Sequence, residues 1–176
     1  MTRSELEHVI RAAGAAAADR EIVVIGTQAL LGEYPGAPSA LRASMRADLF
    51  PNNHPQRADK IDSVIGEGSR FHEQFGYYAR GVSPSTAILP KGWRKRLVRI
   101  DSENTGGVTG LCLEQHDLVI SKYVAGREKD LVFTAALARR DMVDQKELLE
   151  RLALTTLALE LRKLVRGRIE RDFRLG

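Results

Sequence analysis

The spacing of turn residues and apolar residues divides the chain near Gln115. Before it, short β-branched runs alternate with turns rich in Gly and Pro, and the first run, 21–25, is closed by Gly26. After it no proline occurs, and leucines recur at spacings of three and four, which is typical of helices. We therefore predict an α/β fold. A small mixed sheet flanked by helices occupies residues 1–114, and a helical region, 115–176, packs on that core.

Composition indicates one soluble domain and excludes a fibre, a disordered chain and a disulfide scaffold. The 176 residues include 27 Lys and Arg against 23 Asp and Glu, and 43% are hydrophobic. The one cysteine, Cys112, cannot pair within the chain, so we expect a cytoplasmic protein. We expect no signal peptide in residues 1–20 and no membrane span, because no window approaches about 18 continuous apolar residues.

Local patterns predict the individual elements. Thr2 or Ser4 can cap the first helix, and Pro55 suits the first turn of another. The predicted strands are 21–25, 44–50, 77–82, 96–100 and 110–113. The predicted helices are 4–19, a short one from 28, 56–65, 116–124, 128–139, 144–153 and 155–173.

The turn after the first predicted strand carries the strongest sign of chemistry. At Gly26 a phosphate can approach backbone N–H groups closely, and the Thr27 hydroxyl adds a hydrogen bond. Asp48, on the next predicted strand, can hold a divalent cation that bridges the phosphates. Each feature alone is better explained structurally, Gly26-Thr27 as a strand-to-helix turn and Asp48 as a strand-end residue. Their order along the chain is what indicates nucleotide binding.

These residues resemble the polymerase-β-type nucleotidyltransferase superfamily. Ile25-Gly26-Thr27 is similar to its first motif, an apolar residue, Gly, and then Gly or Ser. Arg46-Ala47-Asp48 is similar to its second motif, two acidic residues that flank an apolar one. The resemblance implies that Gly26 and Thr27 hold a nucleoside triphosphate and that Asp48 binds Mg²⁺ as a catalytic residue. Catalysis would consist of positioning and charge stabilisation of in-line transfer.

A narrower resemblance is to the abortive-infection and toxin–antitoxin branch of that superfamily. Residues 114–122 and 125–130 carry it, as a helix with an Asp and a Lys before an Arg-Lys-Asp cluster, and 71–78 is similar to bacterial nucleotidyltransferase-like proteins. The resemblance covers about residues 1–152. It implies an RNA or protein acceptor, a toxin–antitoxin or phage-defence setting, and a cognate toxin or antitoxin as partner.

The resemblance also implies a set of positive charges facing the phosphates. These are Lys122, which would also be catalytic, Arg127 and Lys129, with Asp130 orienting one of them. Positions 122, 126 and 129 lie near one face if the helix continues through Gly126. Without the resemblance, this run of alternating charges is ordinary solvated helix surface.

Arg46 departs from the superfamily motif, because it stands at the place of the first acidic residue. Carboxylates two apart on a strand share a face and hold metal together, whereas a guanidinium puts a fixed positive charge there. At about 4 Å and an effective dielectric near 20, one charge repels a monovalent cation by about 4 kcal/mol. Asp101 and Glu103 are the candidates for the third carboxylate.

Two main hypotheses follow from this departure. The first is an active nucleotidyltransferase with Mg²⁺. The alternative is a pseudoenzyme in which Arg46 contacts phosphate directly and the protein acts as a binding or antitoxin-like partner. A third hypothesis is a nucleic-acid-binding module that uses Trp93, within the basic stretch 91–96, and the last helix.

Other sequence features favour structural roles. The aromatic residues of 71–78 can stack a base but are more typical of a core, and Cys112 reads as a buried, inert thiol. The four histidines lack the spacing of a zinc site.

The last predicted helix is amphipathic and basic. Residues 157–176 hold six basic and three acidic residues, and so contribute +3 of the +4 net charge. We predict an apolar stripe of Leu157, Leu161, Leu164 and Val165. This stripe packs on the body of the protein or pairs with a second copy in a homo-oligomer, and packing is favoured.

Overall fold

A computed structural model describes residues 1–174, which form two compact units. The first unit comprises Met1–Thr86 and Leu97–Glu114. The second comprises Ala87–Arg96 and the chain from Gln115 onward. In the described part of the chain, no helix is both long enough and apolar enough to cross a membrane.

A five-stranded mixed sheet forms the centre of the first unit, which confirms the predicted α/β class. Its strands are β1 (Glu21–Val24), β2 (Arg46–Pro51), β3 (Tyr78–Gly81), β4 (Val98–Ile100) and β5 (Thr109–Cys112). The order across the sheet is β3-β2-β1-β5-β4. β1 is antiparallel to β2 and parallel to β5, β2 is parallel to β3, and β4 is antiparallel to β5. The central strand β1 is buried, which agrees with its β-branched sequence.

Three α-helices accompany this sheet, namely α1 (Arg3–Ala17), α2 (Ala58–Ile65) and α3 (Arg70–Phe75). The predicted cap of α1 is confirmed, since Glu5 N–H donates to the Thr2 hydroxyl at 3.2 Å and Thr2 N–H donates to the Glu5 carboxylate at 2.6 Å. Short 3₁₀ helices occupy Thr27–Gly32, Ser39–Leu41, Pro55–Arg57, Pro84–Thr86 and Glu103–Thr105. The predicted short helix after Gly26 is therefore of the 3₁₀ type.

The second unit is helical, as its leucine spacing predicts. It contains α4 (Gln115–Ala125), α5 (Glu128–Ala138), α6 (Gln145–Ala153), α7 (Leu159–Arg174) and a 3₁₀ turn at Trp93–Arg96. The predicted separation of helices 116–124 and 128–139 is confirmed, and no helix continues through Gly126. Gly126 has φ +64°, so the chain turns there, and Arg127 becomes the extended cap residue of α5. Positions 122, 126 and 129 therefore do not share the face of one helix.

The apolar stripe predicted for the last helix is right only in part, because Val165 is buried whereas Leu161 is half-buried. Residue 157 precedes α7, and the Leu164 side chain is 51% exposed. Besides Val165, the buried face carries Ile169 and Asp172, which the predicted stripe does not include. Asp172 Oδ2 accepts hydrogen bonds from the Tyr123 hydroxyl at 2.9 Å and the Thr134 hydroxyl at 3.2 Å. This buried polar network, which the leucine spacing does not reveal, requires α7 to turn Asp172 inward.

A buried carboxylate connects three segments of the second unit. Asp117 on α4 is fully buried, and it accepts hydrogen bonds from Arg96 Nε at 2.8 Å and Nη2 at 3.0 Å. Arg151 Nη1 of α6 also donates to Asp117 Oδ1, at 3.2 Å. Lys91 N–H also donates to the Leu154 carbonyl at 2.9 Å. These bonds fix the segment Ala87–Arg96 within the helical unit.

Gly81 marks a place where the backbones of β3 and α2 meet. A Cβ atom at Gly81 would lie 1.9 Å from the Ala58 carbonyl oxygen, so Gly81→Ala forces the two elements apart. We expect this change to lower the free energy of unfolding of the first unit by about 1–3 kcal/mol, the usual cost of overpacking. Urea unfolding followed by far-UV circular dichroism measures it. Gly36→Ala is the control, because a Cβ there meets nothing within 4 Å. Equal stability of the two variants would contradict the close packing.

Candidate functional site

The turn after β1 lies directly against Asp48. The Ile25 and Gly26 N–H groups donate to the Asp48 carbonyl, at 3.0 and 3.3 Å. A Cβ atom at Gly26 would lie 3.2 Å from both the Cβ and the N of Asp48. Glycine is therefore what allows the turn to approach β2 so closely, and Thr27 begins the 3₁₀ helix beyond it. The structure brings Gly26 and Asp48 into contact, as their order in the sequence suggested.

Asp48 is paired with the arginine two residues before it on the same face of β2. Arg46 Nε lies 3.0 Å from Asp48 Oδ1, and Arg46 Nη2 donates a long hydrogen bond of 3.5 Å to Oδ2. Oδ1 is buried and accepts no hydrogen bond, so the short approach of Nε lacks hydrogen-bond geometry. The pair is thus held more by charge than by directed hydrogen bonds. The Arg46 guanidinium therefore keeps N–H groups that do not donate a short hydrogen bond to Asp48.

A second arginine, from the neighbouring strand, reaches the same carboxylate. In the parallel β2–β3 pair, Arg80 lies opposite Asp48 and Tyr78 lies opposite Arg46. Arg80 Nε is 3.9 Å from Asp48 Oδ1, and its side chain is half exposed. Sequence reasoning missed Arg80, because only the register of strands some thirty residues apart in the chain reveals it. Two guanidiniums against one carboxylate leave this cluster with a charge of +1.

A family model described as a nucleotidyltransferase of unknown function (DUF6036) matches residues 4–167. The chain belongs to this family. Comparisons with curated proteins and with solved structures each found no match. Family membership and the α/β fold together confirm the nucleotidyltransferase-like nature that the sequence resemblance implied. The abortive-infection and toxin–antitoxin branch stays a prediction.

The side chains around Asp48 do not fit the Mg²⁺ site that a nucleotidyltransferase fold implies. Mg²⁺ prefers several oxygen ligands, and here one carboxylate faces two guanidiniums. Within residues 1–174, no group of three or more His, Cys, Asp and Glu side chains could hold a metal ion. A divalent ion about 4 Å from one guanidinium is repelled by about 8 kcal/mol at an effective dielectric of 20, before solvent screening. Arg46 Nε lies 3.0 Å from Asp48 Oδ1, one of the two oxygens that this carboxylate could offer a cation.

The candidates for a third carboxylate lie elsewhere in the sheet. Ile100 on β4 pairs with Gly110 on β5, which pairs with Ile22 near the start of β1. Asp48 precedes Leu49, which pairs with Val24 at the end of β1. Asp101 follows Ile100 on β4, three strands from β2, a separation of about 14 Å across the sheet. Glu103 lies beyond it in a 3₁₀ turn. Neither residue completes a metal site with Asp48, because β4 runs along the opposite edge of the sheet.

The basic residues that the resemblance assigns to phosphate lie in the second unit. Asp130, almost fully buried, pairs with two of them and so orients both. Arg127 Nε donates to it at 2.6 Å, and Lys122 Nζ lies 3.8 Å away with its side chain only 11% exposed. Lys129 is exposed on α5. The site roles of these three residues stay predictions, and the observed contacts give Lys122 and Arg127 a part in joining α4 to α5.

The aromatic residues of 71–78 separate into two groups. Phe71, Phe75 and Tyr77 pack around His8, with ring centroids 4.6–5.9 Å apart, and the Tyr77 hydroxyl lies 2.8 Å from His8 Nδ1. Burial, followed by the nearby Arg11 charge, lowers the pKa of His8, so this cluster favours the neutral imidazole. Tyr78 instead belongs with the Asp48 cluster by register, and its ring lies 4.5 Å from that of His72.

Two further features have structural explanations. Burial raises the pKa of the Cys112 thiol to about 12, as expected for an inert core cysteine.

In the basic stretch, Arg96 binds the buried Asp117, and the Arg94 guanidinium lies 4.5 Å above the Trp93 ring. Arg96 is thus used for internal structure, and the solvent-facing part of this stretch is formed by Lys91, Arg94 and Lys95.

Proposed function

We propose that this chain is a nucleotide-binding protein of nucleotidyltransferase fold that does not catalyse Mg²⁺-dependent transfer. The observation that carries the proposal is the approach of Arg46 Nε to within 3.0 Å of Asp48 Oδ1. A guanidinium in this position supplies positive charge without a metal ion and can donate to phosphate oxygens as a fork. The triphosphate would then meet Arg46 where active nucleotidyltransferases present a cation.

The support for nucleotide binding is membership of the nucleotidyltransferase family together with the contact between Gly26 and Asp48. The support for the lack of transfer is the donor set, which offers one carboxylate where metal-dependent transfer requires several oxygen ligands. Binding and catalysis are thereby separable in this chain. Arg46 retains the electrostatic attraction for phosphate, whereas the charge neutralisation that drives transfer is absent from the set of side chains.

We extend the proposal to the setting that the sequence resemblance implies, toxin–antitoxin or phage defence. There the nucleotide-bound protein would act on a cognate protein partner by binding it. The alternative in that setting is transfer of a nucleotide to RNA or to a protein acceptor by Asp48 and Lys122. It predicts metal-dependent labelling that Asp48→Ala abolishes.

The test combines a binding measurement with a transfer assay on the 176-residue chain. Isothermal titration with each nucleoside triphosphate is carried out in EDTA and in Mg²⁺, and the protein is incubated with labelled triphosphates, Mg²⁺ or Mn²⁺, and total tRNA or lysate. We expect binding in EDTA and no labelling by the native chain or by Asp48→Ala. Labelling that requires the metal and is lost in Asp48→Ala would establish the active enzyme instead. Absence of any nucleotide binding would overturn the proposal.

A further inference from the structure

We infer that β3 supplies the specificity of this site, with Arg80 as a second phosphate-binding residue and Tyr78 as a stacking surface for the base of a nucleoside triphosphate. The inference rests on the proposed function and extends it to residues that the superfamily motifs do not include. It follows from the parallel register of β2 and β3, which sets Tyr78 beside Arg46 and Arg80 beside Asp48 on one face of the sheet.

The charge arrangement favours a polyanion over a single phosphate. Arg46 Nε and Arg80 Nε lie 3.0 and 3.9 Å from the same oxygen of Asp48, so they are at most about 7 Å apart. Asp48 neutralises one of the two guanidiniums, and both lie within ion-pair distance of its Oδ1. Arg46 is about a third exposed and Arg80 about half exposed, so both can reach a ligand from solvent. Two guanidinium groups this close can contact neighbouring phosphates of one polyphosphate ligand.

The hydrogen bonds of the cluster leave donor capacity for such a ligand. The contact from Arg46 Nη2 to Asp48 is 3.5 Å long, and Oδ1 accepts no hydrogen bond from either arginine. Phosphate oxygens that approach the outer edges of the guanidiniums would therefore replace water there without breaking a short hydrogen bond to Asp48. Charge-assisted bonds of this type are about twice as strong as bonds between neutral groups.

The ring of Tyr78 is held in position beside these charges. His72 packs on it with ring centroids 4.5 Å apart. His72 is itself fixed by two hydrogen bonds. Its ring Nδ1 accepts from the Gly68 backbone N–H at 3.0 Å, and its backbone N–H donates to the Ser69 hydroxyl at 3.2 Å. Tyr78 is only partly buried, in contrast to its neighbour Tyr77. A preorganised, partly exposed aromatic ring next to phosphate-binding arginines is the arrangement that stacks a base.

The experiment separates the two subsites by using two ligands. Native protein and variants are titrated in EDTA with ATP, GTP, CTP and UTP, and with inorganic tripolyphosphate, which has no base. Arg80→Ala should weaken both the nucleotides and tripolyphosphate by roughly ten-fold, the effect of losing one charge-assisted contact. Tyr78→Ala should weaken the nucleotides by roughly ten-fold and leave tripolyphosphate unchanged, because stacking acts on the base alone. Tyr78→Phe, which keeps the ring, should restore most of the affinity that Tyr78→Ala loses.

Arg99→Ala is the matched control, because Arg99 is an exposed arginine on β4 at the other edge of the same sheet. If Arg80→Ala binds tripolyphosphate like this control, or if Tyr78→Ala loses tripolyphosphate and nucleotide affinity equally, the inference is wrong although the proposed function stands. If the native protein binds neither ligand, the proposed function fails and the inference with it. Far-UV circular dichroism of each variant confirms that the sheet is intact.

Discussion

Arg46→Glu is expected to raise the affinity of the protein for Mn²⁺ by at least about 100-fold. The change converts the cluster of Arg46, Arg80 and Asp48 from a charge of +1 to −1 and places two carboxylates on one face of β2. Each unit of charge at about 4 Å changes the interaction with a divalent ion by about 8 kcal/mol at a dielectric of 20, and solvent screening leaves only part of this. Isothermal titration or the electron paramagnetic resonance of Mn²⁺ measures the affinity.

The remaining guanidinium provides a graded version of the same test. Arg80 Nε stays 3.9 Å from Asp48 in the single variant, so the double variant Arg46→Glu with Arg80→Ala should bind Mn²⁺ more tightly still. Arg99→Glu, at the opposite edge of the sheet, makes the same change in net charge and serves as the control. An affinity for Mn²⁺ in Arg46→Glu no higher than in Arg99→Glu would show that Arg46 is not what excludes the cation.

Asp117→Asn is expected to lower the free energy of unfolding of the helical unit by about 3–5 kcal/mol. Asp117 is fully buried and pairs with both Arg96 and Arg151, so its loss leaves two guanidiniums beside an uncharged amide. Breaking a buried pair costs far more than the pair contributes, because the remaining charge keeps its desolvation penalty. Urea unfolding followed by the fluorescence of Trp93, the single tryptophan, reports on this unit directly.

Glu147→Gln provides a matched control for this substitution. Glu147 pairs with the same guanidinium, that of Arg151, at 2.6 Å, but its side chain is 40% exposed. Exposed pairs contribute at most about 1 kcal/mol, so this variant should be close to native stability. If both variants lose a similar, small amount of stability, burial of Asp117 does not determine its contribution.

Most elements of the fold could be predicted from the sequence, because their signals are local. Thr2 and Glu5 form a capping box within four residues, and the β-branched run before Gly26 gives the central strand. The failures occur where a distant contact decides the outcome. The phase of α7 depends on Asp172 meeting Tyr123 and Thr134, which lie 38 or more residues earlier, and no leucine spacing contains that information.

In the candidate site too, contacts within one strand could be predicted from the sequence, whereas contacts between strands could not. Arg46 and Asp48 share a face because residues two apart on any strand do so, and the sequence alone predicts this pairing. Arg80 and Tyr78 join them only through the register of β2 and β3, which is set by packing over the whole sheet. The proposed third carboxylates failed for a related reason, because the position of β4 at the far edge of the sheet depends on pairing with β5.

The path of the chain between β3 and β4 determines which contacts are lost when the protein is cleaved into fragments. Segment Ala87–Arg96 belongs to the helical unit, so the backbone passes from one unit to the other three times. Cleavage after Glu114 would separate Arg96 from Asp117 and Lys91 from Leu154, and the fragment 1–114 would retain a basic segment that has lost its contacts with the helices. The two units are therefore interleaved along the gene, and neither corresponds to one continuous stretch of coding sequence.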